Sequence, residues 1–150
     1  MLLGSAGLSW SADFQKGLTA AQSGDFATAV REWKPLAEQG DASAQYNLGQ
    51  IYRQGKGVPQ DYKTAVQWWK LAAEQGHASA QSNLGVRYIN GQGVLQDYVR
   101  AHMWFNIAAS SGNKQSVKYR DLIAKRMNSS QLEKAQDLAR ECVRKKYKGC

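Results

Sequence analysis

Few residues of this 150-residue chain could do chemistry, and their spacing argues against most reactions. Two histidines, His77 and His102, stand far apart, and neither has a second histidine or a cysteine at ligand spacing, so no metal site is expected. The run Ser111-Gly112-Asn113-Lys114 spells the Ser-x-x-Lys of penicillin-recognising enzymes. In those enzymes the serine opens a helix, whereas here a helical pattern ends at Gly112, and neither Ser-Asp-Asn nor Lys-Thr-Gly follows. Gly55-Lys56-Gly57 reads as an interhelical turn and not as a phosphate cradle. No catalytic residue and no cofactor is expected, which leaves binding.

Charge is unevenly placed along the chain. Residues 1–113 hold nine Lys/Arg against eight Asp/Glu, while residues 114–150 hold eleven against four. The basic end includes Arg140, Arg144, Lys145, Lys146 and Lys148. Such a tail could touch an anionic polymer or membrane surface. Cations are also favoured at a solvated helix C-terminus, and stacking aromatics are few here, so nucleic acid is not the expected partner. No run of eighteen apolar residues exists, so no membrane span is expected.

The elements that must position any binding residue follow from an internal repeat. Laid over one another at a separation of 36, residues 44–79 and 80–115 match Ala44 with Ala80, Leu48 with Leu84, Gly49 with Gly85 and Tyr52 with Tyr88. The match continues through Gly57 and Gly93, Asp61 and Asp97, Trp68 and Trp104, Ala72 and Ala108, to Gly76 and Gly112. A weaker copy lies upstream. Asp25, Phe26, Ala29, Trp33 and Gly40 sit under Asp61, Tyr62, Ala65, Trp69 and Gly76, but Gly17 aligns with Gly49 only after four loop residues are removed. A loop deletion that leaves both flanks intact implies two elements per repeat.

Both elements read as helices. Tyr62, Ala65, Val66, Trp69, Ala72 and Ala73 recur at the steps of one buried face, and Ala44, Leu48, Ile51 and Tyr52 form the facing one. Asp25, Asp61 and Asp97 stand where an N-cap is needed, and Gly40, Gly76 and Gly112 where a left-handed residue ends a helix. Gly49 and Gly85 lie mid-helix at a cost of about 1 kcal/mol against alanine, which makes sense if a bulky neighbour such as Trp69 packs on the bare backbone. Trp68 and Trp69 are adjacent, so one of them is expected to be partly exposed. After residue 113 the pattern lapses. Ser116–Met127 and Gln131–Tyr147 read as two further helices, the second capped by Ser129 or Ser130 with Ser130 and Glu133 as a capping box.

These residues closely resemble the Sel-1-like repeat, a relative of the tetratricopeptide repeat. Ala44-Gln45-Tyr46-Asn47-Leu48-Gly49 through Gly76 carries its full pattern, and Ala80 through Gly112 carries it again. The resemblance implies an all-α fold, a right-handed α-solenoid of antiparallel helix pairs with a C-terminal helical cap. Residues 12–40 form a tetratricopeptide-like unit, 41–76 and 77–113 two Sel-1-like units, and 114–150 a two-helix cap with a basic tail. It also implies an adaptor that binds another protein or peptide and is not an enzyme. In that geometry the first helix of each pair lines a concave groove. Its non-core residues would be Phe14, Leu18, Ala21 and Gln22 in the first unit, then Tyr46, Asn47, Gln50, Arg53 and Gln54. The third unit adds Ser82, Asn83, Val86, Ile89 and Asn90. Asn47 and Asn83 recur one repeat apart, and an amide offers both donors and an acceptor to a peptide backbone. Arg53 offers a guanidinium fork to a carboxylate. Otherwise these are solvated polar positions on a helix face.

Cysteine-rich members of this family, some of which carry a β-lactamase label, place a cysteine pair in each repeat; residues 13–112 contain none. Cys142 and Cys150 do share the eight-residue spacing of that branch's disulfides. On one unbroken helix they would be about 12 Å apart, so a bridge requires a break near Lys148 or Gly149. Cys142 also lies in line with Leu132, Leu138 and Ala139, and could simply be a small buried apolar residue. At the other end, residues 1–11 read as the remnant of a secretion signal. Met1 to Leu8 resemble the end of an apolar h-region, and Ser9-Trp10-Ser11 has small residues where cleavage before Ala12 needs them. The expectation is a periplasmic or secreted protein. The alternative is an ordinary apolar tail on a cytoplasmic one.

Overall fold

The computed structural model describes the backbone of residues 6–150 and the side chains from residue 14 onward. The expected signal remnant at 1–11 thus lies outside the residues described in full. Among the described residues there are eight helices and no strand. They are α1 (Ala6–Gln22), α2 (Phe26–Glu38), α3 (Ala42–Gln54), α4 (Tyr62–Ala73), α5 (Ala78–Asn90), α6 (Tyr98–Ser110), α7 (Lys114–Ala124) and α8 (Ser129–Arg144). Consecutive helices pack on each other from α1 to α7, which makes a solenoid of stacked helix pairs.

Capping explains where the helices start and stop. Asp25, Asp61 and Asp97 accept from the first-turn amides of α2, α4 and α6. The first helices of the pairs use another set, Asp41, His77 and Asn113, each accepting from the amide three residues on. Gly40, Gly76 and Gly112 take φ of 104°, 84° and 91°, a region that costs an L side chain strain.

Aromatic rings and bare backbone hold each pair together. The indole of Trp69 lies against Gly49 and that of Trp33 against Gly17, so closely that a Cβ at either glycine would overlap the ring. Each indole N–H also donates to a backbone carbonyl of the same partner helix, Phe14 for Trp33 and Tyr46 for Trp69, both at 3.2 Å. In the third pair Phe105 replaces the indole; a Cβ at Gly85 would be 2.6 Å from its ring. Neighbouring pairs are joined by buried glutamines. Gln45 donates to the Ala37 carbonyl and Gln81 to that of Ala73, at 3.0 and 3.1 Å.

The long loops bridge pairs as well. Gly57 sits on the backbone of Phe26 and Ala27, and Gly93 on that of Tyr62 and Lys63, where a Cβ would meet Tyr62 O at 2.5 Å. Gln60 and Gln96 turn back to donate to the carbonyls of Arg53 and Ile89, both at 2.8 Å, and so satisfy the ends of α3 and α5.

The C-terminal region differs from the sequence expectation in detail. Its helices are shifted toward the N-terminus, to 114–124 and 129–144, and the capping box belongs to Asn128 and Gln131 rather than to Ser130 and Glu133. Asn128 takes that role because its carboxamide accepts from Gln131 N at 2.8 Å while Gln131 returns a bond to Asn128 N at 2.9 Å. The two helices do not chiefly form a hairpin; α7 and α8 each pack against α6. That is why α6 is buried all round, with Trp104 and Phe105 both inside, whereas in α4 Trp69 is buried and Trp68 only half-buried.

Candidate functional site

Three first helices, α3, α5 and α7, together with the cap residue Asn113, enclose a groove of about 360 Å³. It is lined by Tyr46, Gln50 and Arg53 from α3, and by Ser79, Ser82, Asn83, Val86 and Arg87 from α5. Gln115 and Tyr119 of α7 close its far side. These side chains converge because each helix turns its Leu48- or Leu84-type face into the core and leaves the next stripe toward the neighbouring pair.

Six residues singled out from sequence, Tyr46, Gln50, Arg53, Ser82, Asn83 and Val86, share this groove. Asn47, Gln54 and Asn90 do not line it. Gln54 and Asn90 are exposed at helix ends, and Asn90 bonds to Gln92 instead. In the first unit, Phe14, Leu18 and Ala21 pack against the N-terminal core and do not line this groove. Ser79, Arg87, Asn113, Gln115 and Tyr119 were not visible from sequence. Arg87 lies one repeat below Ile51, which is buried, so its position reads as core.

Polar groups dominate the groove. Gln50 Oε1 accepts from Arg53 Nε at 3.4 Å and from Asn83 Nδ2 at 3.3 Å, tying α3 to α5. Tyr46 stacks on His77, ring centroids 4.6 Å apart. The Arg87 guanidinium lies over the Tyr62 ring at 5.3 Å, and its buried Nε has no hydrogen-bond partner. Burial lowers the Arg87 pKa from its ordinary value, Tyr62 opposes that shift, and nearby Arg53 adds to it. No Asp or Glu is among the lining residues.

The other candidate residues take structural positions. Ser111 closes α6, its hydroxyl bonded to the Ile107 carbonyl. His102 is buried in α6 and His77 caps α5. Among the described residues no cluster of three His, Cys, Asp or Glu could hold a metal, and no helix is long and apolar enough to cross a membrane. Cys142 and Cys150 are joined by a disulfide, with Cα atoms 5.6 Å apart. The chain turns back earlier than Lys148: α8 ends at Arg144, and Lys146 and Tyr147 both take positive φ. Tyr147 then rests against Gly76. Of the basic tail, Arg140 pairs with Asp137, and Arg144 and Lys145 with Glu141.

Two consecutive stretches, residues 42–77 and 78–113, match the Sel1 repeat family model. The chain is a Sel1-repeat protein. It is similar to a protective antigen of uropathogenic Escherichia coli strains that displays the same repeat fold. That match has 34% identity and a TM-score of 0.87, and covers 92% of this chain and 30% of that one. A Sel1 repeat protein from Oxalobacter formigenes is 31% identical at a TM-score of 0.65, over 69% of this chain and 41% of that one. This Sel1-repeat chain therefore spans less than half the length of either structure. No curated protein matches it. Sel1-repeat proteins are generally protein-interaction scaffolds, and the fold is typically non-enzymatic.

Proposed function

We propose that this Sel1-repeat chain is an adaptor that holds an extended segment of a partner protein in the groove between α3, α5 and α7. The observation that carries this reading is the row of side-chain amides along the groove, Gln50, Asn83, Asn113 and Gln115. An extended peptide must satisfy a donor and an acceptor at nearly every residue. The row supplies both, the NH2 groups of Gln50 and Asn113 as donors and the carbonyls of Asn83 and Gln115 as acceptors. Tyr46 and Tyr119 at the edges give an apolar surface for its side chains. The disulfide at the C-terminus fits work in an oxidising compartment such as the periplasm.

A photo-crosslinking residue at Gln115 or Ser79, and in a control at exposed Lys125, tests the reading in the cells that make the protein. The groove positions should trap the same partner segment, the control should not, and Arg53→Ala with Asn83→Ala should abolish the product with helicity unchanged. Equal trapping from Lys125 would refute the groove. Salt separates this mode from binding through the basic tail, because lysine contacts to a polyanion weaken steeply with ionic strength.

A further inference from the structure

We infer that the segment held in the groove is acidic, and that Arg53 and Arg87 receive its carboxylates. The inference rests on the groove reading above and narrows it to a ligand chemistry.

The charge pattern of the groove carries it. Outside the groove, Arg100 pairs with Asp97, Arg120 with Asp121, Arg140 with Asp137 and Arg144 with Glu141, while Arg31 and Arg126, which have no carboxylate partner among the described residues, are exposed to water. Arg53 and Arg87 have no carboxylate partner among the described residues, although both are partly buried, line the same groove, and Arg53 disfavours the charge of Arg87. Two like charges brought together out of water with no counterion cost free energy, and an anionic ligand would offset that cost.

The polar contacts the two arginines do make leave their forks open. Arg53 has one bond, from Nε to the neutral carbonyl of Gln50, which is shared with Asn83. The buried Nε of Arg87 has no partner, and its guanidinium is steadied by the Tyr62 ring below it. A guanidinium fixed from behind with free N–H groups in front is disposed for a bidentate carboxylate contact. The arginines also sit at different positions in their repeats. Arg53 aligns with Ile89, and Arg87 with Ile51, so the repeat pattern itself does not place them together. They meet only in the folded stack.

A random-peptide display library selected on the full chain tests this. The selected sequences should be enriched in Asp and Glu. Converting those residues to Asn and Gln in a synthetic copy of the leading peptide should weaken its binding, read by fluorescence anisotropy. Arg53→Gln and Arg87→Gln should each weaken the acidic peptide about tenfold, the loss expected for one charged hydrogen-bonded contact. Arg126→Gln, outside the groove, should change nothing. Neutral or basic selected peptides, or acidic ones indifferent to both arginine variants, would overturn the inference. If the neutral peptides still lost binding with Asn83→Ala, the groove reading would survive on its own. If no selected peptide depended on any groove residue, both would fall.

Discussion

The indole of Trp69 can lie on α3 only because position 49 has no side chain, and that contact sets the spacing of the pair. Trp69 is fully buried, so Trp69→Ala should cost about 3–5 kcal/mol, read as a lower denaturant midpoint. A second residue-scale prediction runs the other way. Gln45 Oε1 accepts from Gln75 at 2.9 Å, but Gln81 Oε1, one repeat later, is buried without a partner, because the position of Gln75 is there occupied by the shorter Ser111. Ser111→Gln should supply the missing donor and stabilise the fold by about 0.5–1.5 kcal/mol, and an unchanged or lower midpoint would count against it. The hydroxyl of Ser116 is likewise buried unpaired in a position held by alanine in the other repeats, Ala44 and Ala80.

Acid should loosen the protein through its histidines. Burial lowers the His102 pKa from its ordinary 6.5, Arg120 lowers it further, and Asp121 opposes. His77 is shifted the same way, also chiefly by burial. A depressed histidine means that the unfolded chain takes up a proton near pH 6.5 that the native state refuses. Stability is therefore full above that value and falls as pH drops through it toward the folded pKa. Urea midpoints should be flat from pH 8 to 7 and decline toward pH 5, above the range where carboxylates protonate. A His77→Asp, His102→Gln variant should decline less.

At the scale of elements, the repeat made most of the architecture readable. Two superimposable copies disclose two helices each, with Asp25, Asp61 and Asp97 at their starts and glycines at their ends, because caps and left-handed turns demand particular residue types. Where the pattern lapses, local rules compete. Asn128, Ser129 and Ser130 are all acceptable caps, and the reciprocal bonds of Asn128 with Gln131 decide among them. Arg87 was hidden because a long stem can occupy an isoleucine position while its charged head reaches the groove. The return of the chain to Cys142 was unreadable for another reason: Lys146 and Tyr147 have no intrinsic preference for positive φ. Cys142→Ser with Cys150→Ser should destabilise by roughly 2–3 kcal/mol for so short a loop. Titration of the purified protein should find no free thiol until it is reduced.

Across the whole molecule the core divides into two clusters. The first joins α1, α2 and the Leu48–Ile51 face of α3; the second gathers Trp69, Leu84, Phe105 and the apolar faces of α7 and α8. The second is larger and is closed by helices on both sides of α6. Repeat stacks open locally, so amide hydrogens of α1 and α2 should exchange faster than those of α5 and α6. Equal protection along the chain would mean that the two clusters unfold as one.

The glycine loops decide how such an array can grow. Because Gly57 and Gly93 each lean on the preceding pair, a long-loop unit carries its own coupling to whatever stands before it, and copying residues 42–77 in tandem would reproduce the seam intact. A unit with the short turn of residues 23–25 lacks that foot. Placed in mid-array it would leave a gap at the joint, so duplication can lengthen the stack only through the kind of unit that brings its own spacer.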